Sequence, residues 1–169
     1  MAKTKLVCNL DKVAKPKDVE NCKRIFLNTE DEIMLDIAVC MFDAYKTPDS
    51  DLNVDDFKHE IKLLMRGEYG DWCENASLYY KVNEVVAGAV FVSIYDGVPL
   101  LTYLFTRKVF LGDAVASQLF QVSAYVLKLL KHTQMHLYID DNDSQSYNLY
   151  RTMGFVAEEK PKPRKGGLI

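Results

Sequence analysis

The chain has 169 residues, 49% of them hydrophobic and 27% charged, with a formal net charge of −3. This suits one soluble globular domain over residues 1–169 with a proper core. The charge gives no field that would gather nucleic acid, and no run reaches the ~18 apolar residues of a membrane span. The N-terminal MAKTKLVCNLDKV has no apolar stretch of the secretory kind, so a cytoplasmic location is expected. Cys8, Cys22, Cys40 and Cys73 are irregularly spaced, with no C-x-x-C, and read as reduced thiols. His59, His132 and His136 show no ligand spacing with them, so no metal is expected.

The first 20 residues are polar and suggest no element. CKRIFLN (22–28) predicts a strand from its alternation at Ile25 and Leu27. Thr29 is placed to cap a helix, with Glu32 at the capping-box position, and Ile33, Ile37, Cys40 and Met41 mark its apolar face to about Lys46. Asn53 can cap a second helix with a stripe of Phe57, Ile61, Leu64 and Met65, ended by Gly67 or Gly70. The period then becomes two. ASLYYKV, VVAGAVFVSIY and VPLLTYLFT are separated by Asn83-Glu84 and Asp96-Gly97, which predicts an antiparallel meander. A loop containing Gly112 leads into a helix with Val115, Leu119, Val122, Val126 and Leu129 on one face. The strand MHLYI, a short helix from about Ser144 and FVAEE follow, and residues 160–169 form a basic Pro/Gly-rich tail, read as solvated.

The predicted class is α+β with a mixed sheet and a crossover helix on one face. A strand that enters a helix through a tight loop aims unpaired backbone N–H groups at one point, which suits phosphate oxygens. Gly112 removes a Cβ from that approach, and Ala114 is small for the same reason.

This order, with its glycine loop after the third meander strand, resembles the GNAT N-acetyltransferase superfamily, most closely from Leu104 to Phe155. The family's loop pattern Gln/Arg-x-x-Gly-x-Gly/Ala reads Val109 to Ala114 here. Gly112 and Ala114 match, and Val109 replaces the leading Gln/Arg. The family's later motif reads Asp143, Ser146, Leu149, Tyr150, Gly154 and Phe155, with Asn142 beside the position of its usual Asn. The resemblance implies a mixed, mostly antiparallel sheet of six to seven strands flanked by about four helices. It also implies an acyl-CoA, most often acetyl-CoA, as cosubstrate.

On that basis the pyrophosphate is expected on the N–H groups of Phe110, Leu111, Gly112, Asp113 and Ala114, with Arg107 and Lys108 near enough to add charge. The pantetheine arm is expected to pair with the backbone of Leu104 and Thr106, Phe105 facing away. Asn142, Asp143 and Ser146 are placed at the cofactor by the second motif. The carboxylate of Asp113 is equally a simple helix-start acid. Tyr150 takes the catalytic position by the resemblance, a phenol that acts as general acid to the leaving sulfur, while Tyr147 is left as core or edge. The strand VPLLTYLFT carries no Glu or Asp to act as base, so the amine's proton is expected to leave through a water chain, to a side chain from the region of the first two helices, or to Tyr103, Asp96 or His136, the last of which also reads as a structural histidine on its strand.

The acceptor of such a fold enters beside the first two helices. There Asp43, Asp49, Asp51, Asp55, Asp56 and Glu60 would favour a small-molecule or peptide amine. The resemblance also allows a homodimer through the late strands. The competing expectation is a GNAT-like binding or regulatory module without turnover, favoured by Val109, Asp113 and the missing strand carboxylate.

Overall fold

The structure is a computed structural model that describes residues 2–17 and 19–158. Its elements run β1 (Lys3–Asn9), β2 (Cys22–Arg24), α1 (Asp31–Tyr45), α2 (Val54–Met65), β3 (Asp71–Trp72), β4 (Leu78–Val82), β5 (Val85–Tyr95), β6 (Val98–Thr106), α3 (Val115–Leu129), β7 (Gln134–Asp140), α4 (Ser144–Thr152) and β8 (Phe155–Ala157). The strands make one sheet in the order β2-β4-β5-β6-β7-β1-β8, with β3 beside β5. All pairs are antiparallel except β6 with β7. The expected α+β layout with a mixed, mostly antiparallel sheet and four helices is what the chain adopts.

Two cores lie on opposite faces of the sheet. One joins α1 and α2 to Phe91 and Phe105, and the other joins α3 to Val90, Leu101, Leu104 and Phe155. Gly88 permits the second contact. A Cβ there would stand 2.6 Å from the Phe105 carbonyl oxygen and 2.9 Å from Val115 Cγ1, so only glycine lets the start of α3 close on β5.

Several details depart from the sequence reading. The N-terminal stretch forms β1, inserted between β7 and β8, with Leu6 and Cys8 fully buried. It brings the strand count to eight. The strand expected over 22–28 stops at Arg24, and Leu27 is exposed. Thr29 does not cap α1. Its Oγ1 accepts the Phe26 N–H at 2.7 Å in a local turn, and the N-cap Glu30 makes no side-chain bond. Asn53 does cap α2, in a reciprocal capping box with Asp56. On α3 the buried stripe passes through Phe120, Ala124 and Leu127, and Leu129 is exposed. The basic tail at 160–169 lies outside the described residues.

Candidate functional site

The site begins with one extra residue in β6. Phe91 faces Tyr103 and Val92 faces Leu101, so Thr102 has no partner of its own on β5. It is a bulge, pinned by Thr102 Oγ1 donating to the Phe91 carbonyl at 3.0 Å. A bulge bends its strand and increases the local twist. β6 is paired with β7 only at Leu100↔His136, just before the bulge, and the two strands diverge after it. Beyond the bulge, the end of β6 (Leu104 to Thr106) lines a cleft of about 830 Å³ together with the loop that follows it and the start of α3. It is lined from both faces of the sheet, by Ala44 and Phe105 from one core and by Leu104, Val115, Phe120 and Met153 from the other, with the exposed Tyr45 beside Ala44.

The backbone of β6 faces this gap at alternate residues. Arg107 donates its N–H to the Ala87 carbonyl at 2.7 Å on the β5 side. Strand alternation then turns the polar groups of Phe105 toward β5 and those of Leu104 and Thr106 into the cleft. Leu104, Phe105 and Thr106 all line it, with side chains almost wholly buried.

The loop after β6 sits at the cleft's end. Gly112 has φ +93° and Ala114 φ +61°, the left-handed region that an alanine enters at a cost of about 1–2 kcal/mol. Among the five N–H groups expected to form the cradle, those of Phe110, Leu111 and Asp113 donate to the carbonyls of Arg107, Lys108 and Phe110 within the loop. Those of Gly112 and Ala114 are not engaged in this way. α3 then starts with no side-chain cap, so Val115, Ala116 and Ser117 present first-turn N–H groups beside the cleft they line. The N–H groups left without a loop partner are thus those of Gly112 and Ala114 together with the first turn of α3, a set that extends about three residues beyond the five expected from spacing.

Charged side chains near this end are few. Arg107 Nε donates to the Val86 carbonyl at 3.1 Å, away from the cleft. Lys108 is tied to α1, its N–H on Asp43 Oδ2 at 2.7 Å and its Nζ on the Lys46 carbonyl at 2.8 Å, yet it lines the cleft. Val109 is 75% exposed, and Asp113 is exposed outside the lining. Lys12, which sequence reasoning missed, reaches the cleft from a short 3-10 turn after β1, near Ser117 and Gln121. Its position depends on β1 lying inside the sheet, and no signal in the polar N-terminal stretch announced that.

The second motif is built differently. Asp143 caps α4 by accepting the Ser146 N–H at 3.0 Å, and hydrogen bonding first from the Ser146 side chain and then from its backbone holds the carboxyl below the usual range. Asn142, Asp143, Ser146 and Tyr150 stand outside the cleft lining, which α4 and its last turn supply through Leu149, Thr152, Met153 and Gly154. Tyr150 is half-buried, its ring edge-on to Phe155 with centroids 5.7 Å apart. Burial pushes its phenol up to about 12, and the Asp143 carboxylate adds to the effect.

Tyr45, at the end of α1, was also missed. Its ring is 42% exposed in the cleft and packs 6.0 Å from Phe105 and 6.1 Å from Tyr103. The walls around it raise its phenol further than that of Tyr150, with the Tyr150 and Tyr103 phenols contributing. Among the base candidates, Asp96 sits exposed in the β5–β6 turn at φ +53°. His136 is half-buried on β7 against Gln134 Oε1 at 3.1 Å, with burial and Lys5 lowering its pKa. Tyr103 is half-buried, its phenol raised to about 12 by burial and by Glu60.

Solved structures share this fold. The chain has the fold of the GNAT acetyltransferases. The GCN5-related N-acetyltransferase from Sphaerobacter thermophilus superposes with a TM-score of 0.66 at 17% identity, over 92% of this chain and 48% of that one. The aminoglycoside 6′-N-acetyltransferase AAC(6′)-IG from Acinetobacter haemolyticus gives 0.62 at 14%, over 86% and 97%. AAC(6′)-Iy, solved with the bisubstrate analog CoA-S-monomethyl-acetylneamine, gives 0.60 at 14%, over 85% and 96%. The chain thus spans about half of the Sphaerobacter protein and nearly the whole of AAC(6′)-IG and AAC(6′)-Iy. No protein-family model matches the sequence, and no curated protein matches it. Among the described residues of this GNAT fold, no group of three or more His, Cys, Asp and Glu could hold a metal ion, and no helix is long and apolar enough to cross a membrane.

Proposed function

We propose that the chain is an acyl-CoA-dependent N-acyltransferase that moves an acetyl group from acetyl-CoA to a primary amine by direct attack. The observation that carries this reading is the uncapped start of α3 opening on a cleft lined by the end of β6. In this reading the N–H groups of Gly112, Ala114, Val115, Ala116 and Ser117 receive the pyrophosphate, assisted by the helix dipole. Lys12 and Lys108 provide the charge that Val109 does not. Leu104 and Thr106 pair their backbone with the amide groups of the pantetheine arm.

The neutral amine nitrogen bonds to the thioester carbon as the carbon–sulfur bond breaks. Tyr150, with a phenol near 12, is fully protonated at neutral pH and donates a hydrogen bond to the departing thiolate. An ordinary thiol has a pKa of about 8.5, so full proton transfer from this phenol to sulfur is uphill. The sulfur's proton is therefore the one the amine gives up, carried through water, while the phenol stabilises the charge in between.

The test has two parts. Acetyl-CoA at 100 times its dissociation constant should stabilise the protein by about 2.7 kcal/mol in a thermal melt. An amine panel with a free-thiol readout should then release CoA. The second reading, a GNAT-like binding or regulatory module, is favoured by the outward Val109 and by Arg107 being folded away. Absence of any thermal shift with saturating acetyl-CoA would decide for the module.

A further inference from the structure

The charged lining of the cleft is of one sign. In a chain of net charge −3, its charged residues are Lys12 and Lys108, with no aspartate or glutamate among them. A second hollow, of about 160 Å³, is lined by Leu10, Val13, Ala14 and Lys15 and, from α3, by Tyr125 and Lys128, again without an acid. Val13 and Ala14 wall both spaces, so the second continues the first along α3.

The segment that carries Lys12 and Lys15 is pinned. Its 3-10 turn, Leu10–Lys12, packs on α3, and Asn9 caps that turn by accepting the Asp11 N–H at 3.0 Å. Leu10 is buried and donates its N–H to the Thr133 carbonyl at 2.9 Å, and Val13 packs on the same core as α3. This fixes where the two lysines leave the backbone, on either side of Val13 and Ala14. The other two lysines are engaged. Lys108 is tied to α1, and Lys128 has Asp11 at 4.0 Å. Among the described residues, Lys12 and Lys15 form no ion pair.

α3 rises about 1.5 Å per residue, so Gln121 in the cleft wall stands about 6 Å past Ser117, and Tyr125 in the second hollow about 6 Å past Gln121. Backbone N–H groups at these turns are used inside the helix. An anion in this groove is therefore held by lysine charge, beyond the open donors of the first turn. Coenzyme A carries a phosphate suited to that place. Besides its pyrophosphate it bears a 3′-phosphate, one ribose further out.

We propose that Lys12 and Lys15 recognise the 3′-phosphate of the acyl-CoA, its adenosine lying in the groove along α3, so that the protein selects the full coenzyme over donors that lack this phosphate. The identity of the ligand rests on the acyltransferase reading above.

The experiment titrates acetyl-CoA and acetyl-dephospho-CoA, which differ only in the 3′-phosphate, by calorimetry. The proteins are the wild type, Lys12→Ala/Lys15→Ala and Lys12→Arg/Lys15→Arg, and acetyl transfer to an amine panel is followed in parallel. The wild type is expected to bind acetyl-CoA at least tenfold more tightly than acetyl-dephospho-CoA. The alanine pair should reduce that preference to threefold or less, and the arginine pair should keep it. Equal affinity of the wild type for the two donors would overturn the proposal and leave the acyltransferase reading standing. So would an alanine pair that weakens both donors alike, since the lysines would then serve the pyrophosphate. A lysine-dependent preference in a protein that acetylates no amine would keep the phosphate site and remove the transferase reading. Binding of neither donor would remove both.

Discussion

α3 and α4 start in opposite ways. α4 is closed by its own sequence, with Asp143 bonded to the Ser146 N–H, and none of its first-turn donors lines the cleft. α3 follows two left-handed residues, Gly112 and Ala114, has no side-chain cap, and turns Val115, Ala116 and Ser117 toward the gap. Cap residues commonly contribute about 1 kcal/mol, so an open helix start beside a cavity gives up stability that a bound anion could return. The contrast separates a helix that holds structure from one that is available to a ligand.

The largest expected effect sharpens the role of α4. Tyr150→Phe should lower acetyl transfer on the order of 10²-fold, since it removes one donor from the leaving sulfur, while acetyl-CoA affinity by titration stays the same. Unchanged turnover would remove Tyr150 from the chemistry. Next, Gly112→Val should weaken acetyl-CoA binding at least tenfold. A β-branched residue strains at φ +93°, and its Cβ projects into open space, nothing lying within 4 Å, where the phosphates are expected. Circular dichroism would confirm that the variant is folded, and an unchanged dissociation constant would place the phosphates elsewhere.

Smaller effects test the two helix starts as structure. Asp143→Ala should cost about 1 kcal/mol by denaturant titration with little change in acetyl-CoA affinity, because its bond serves α4 alone. Ala114→Gly should relieve left-handed strain and raise stability by up to about 1 kcal/mol, again with affinity nearly unchanged. A large affinity loss in Asp143→Ala would erase the distinction between the helices.

The meander, both of its turns and the order of the later elements were legible because period-two alternation and Asn-Glu or Asp-Gly turns are local signals. Asn83, Glu84, Asp96 and Gly97 all adopt the positive φ those hairpins need. β1 was not legible, since Lys3, Lys5 and Asn9 surround the two residues that are buried, and its place between β7 and β8 is a long-range choice. Lys12 and Tyr45 were missed for the same reason: what puts them at the cleft is tertiary. The loop was found by Gly112, but which of its N–H groups are occupied by local turns depends on backbone angles that composition does not specify.

Burial also predicts an alkaline weakness. The thiols of Cys8 and Cys40 are raised to about 11 and about 12, and the phenols of Tyr103 and Tyr150 to about 12. Each group loses its proton earlier when unfolded, at about 9 for the thiols and 10 for the phenols. Their contribution is complete below pH 9 and is lost as pH rises through 11 to 12. The melting temperature should fall across that window.

The supernumerary Thr102 decides more than curvature. Leu101 and Leu104 point to the α3 layer, while Tyr103 and Phe105 point to the α1–α2 layer. Strict alternation would have sent Leu101, Tyr103 and Phe105 to the same side. Deleting this one position would therefore swap the downstream side chains between layers and exchange the places of Leu104 and Phe105 in the cleft wall. The location of the opening is thus written in the spacing of residues along a strand, where a search for particular side chains does not look.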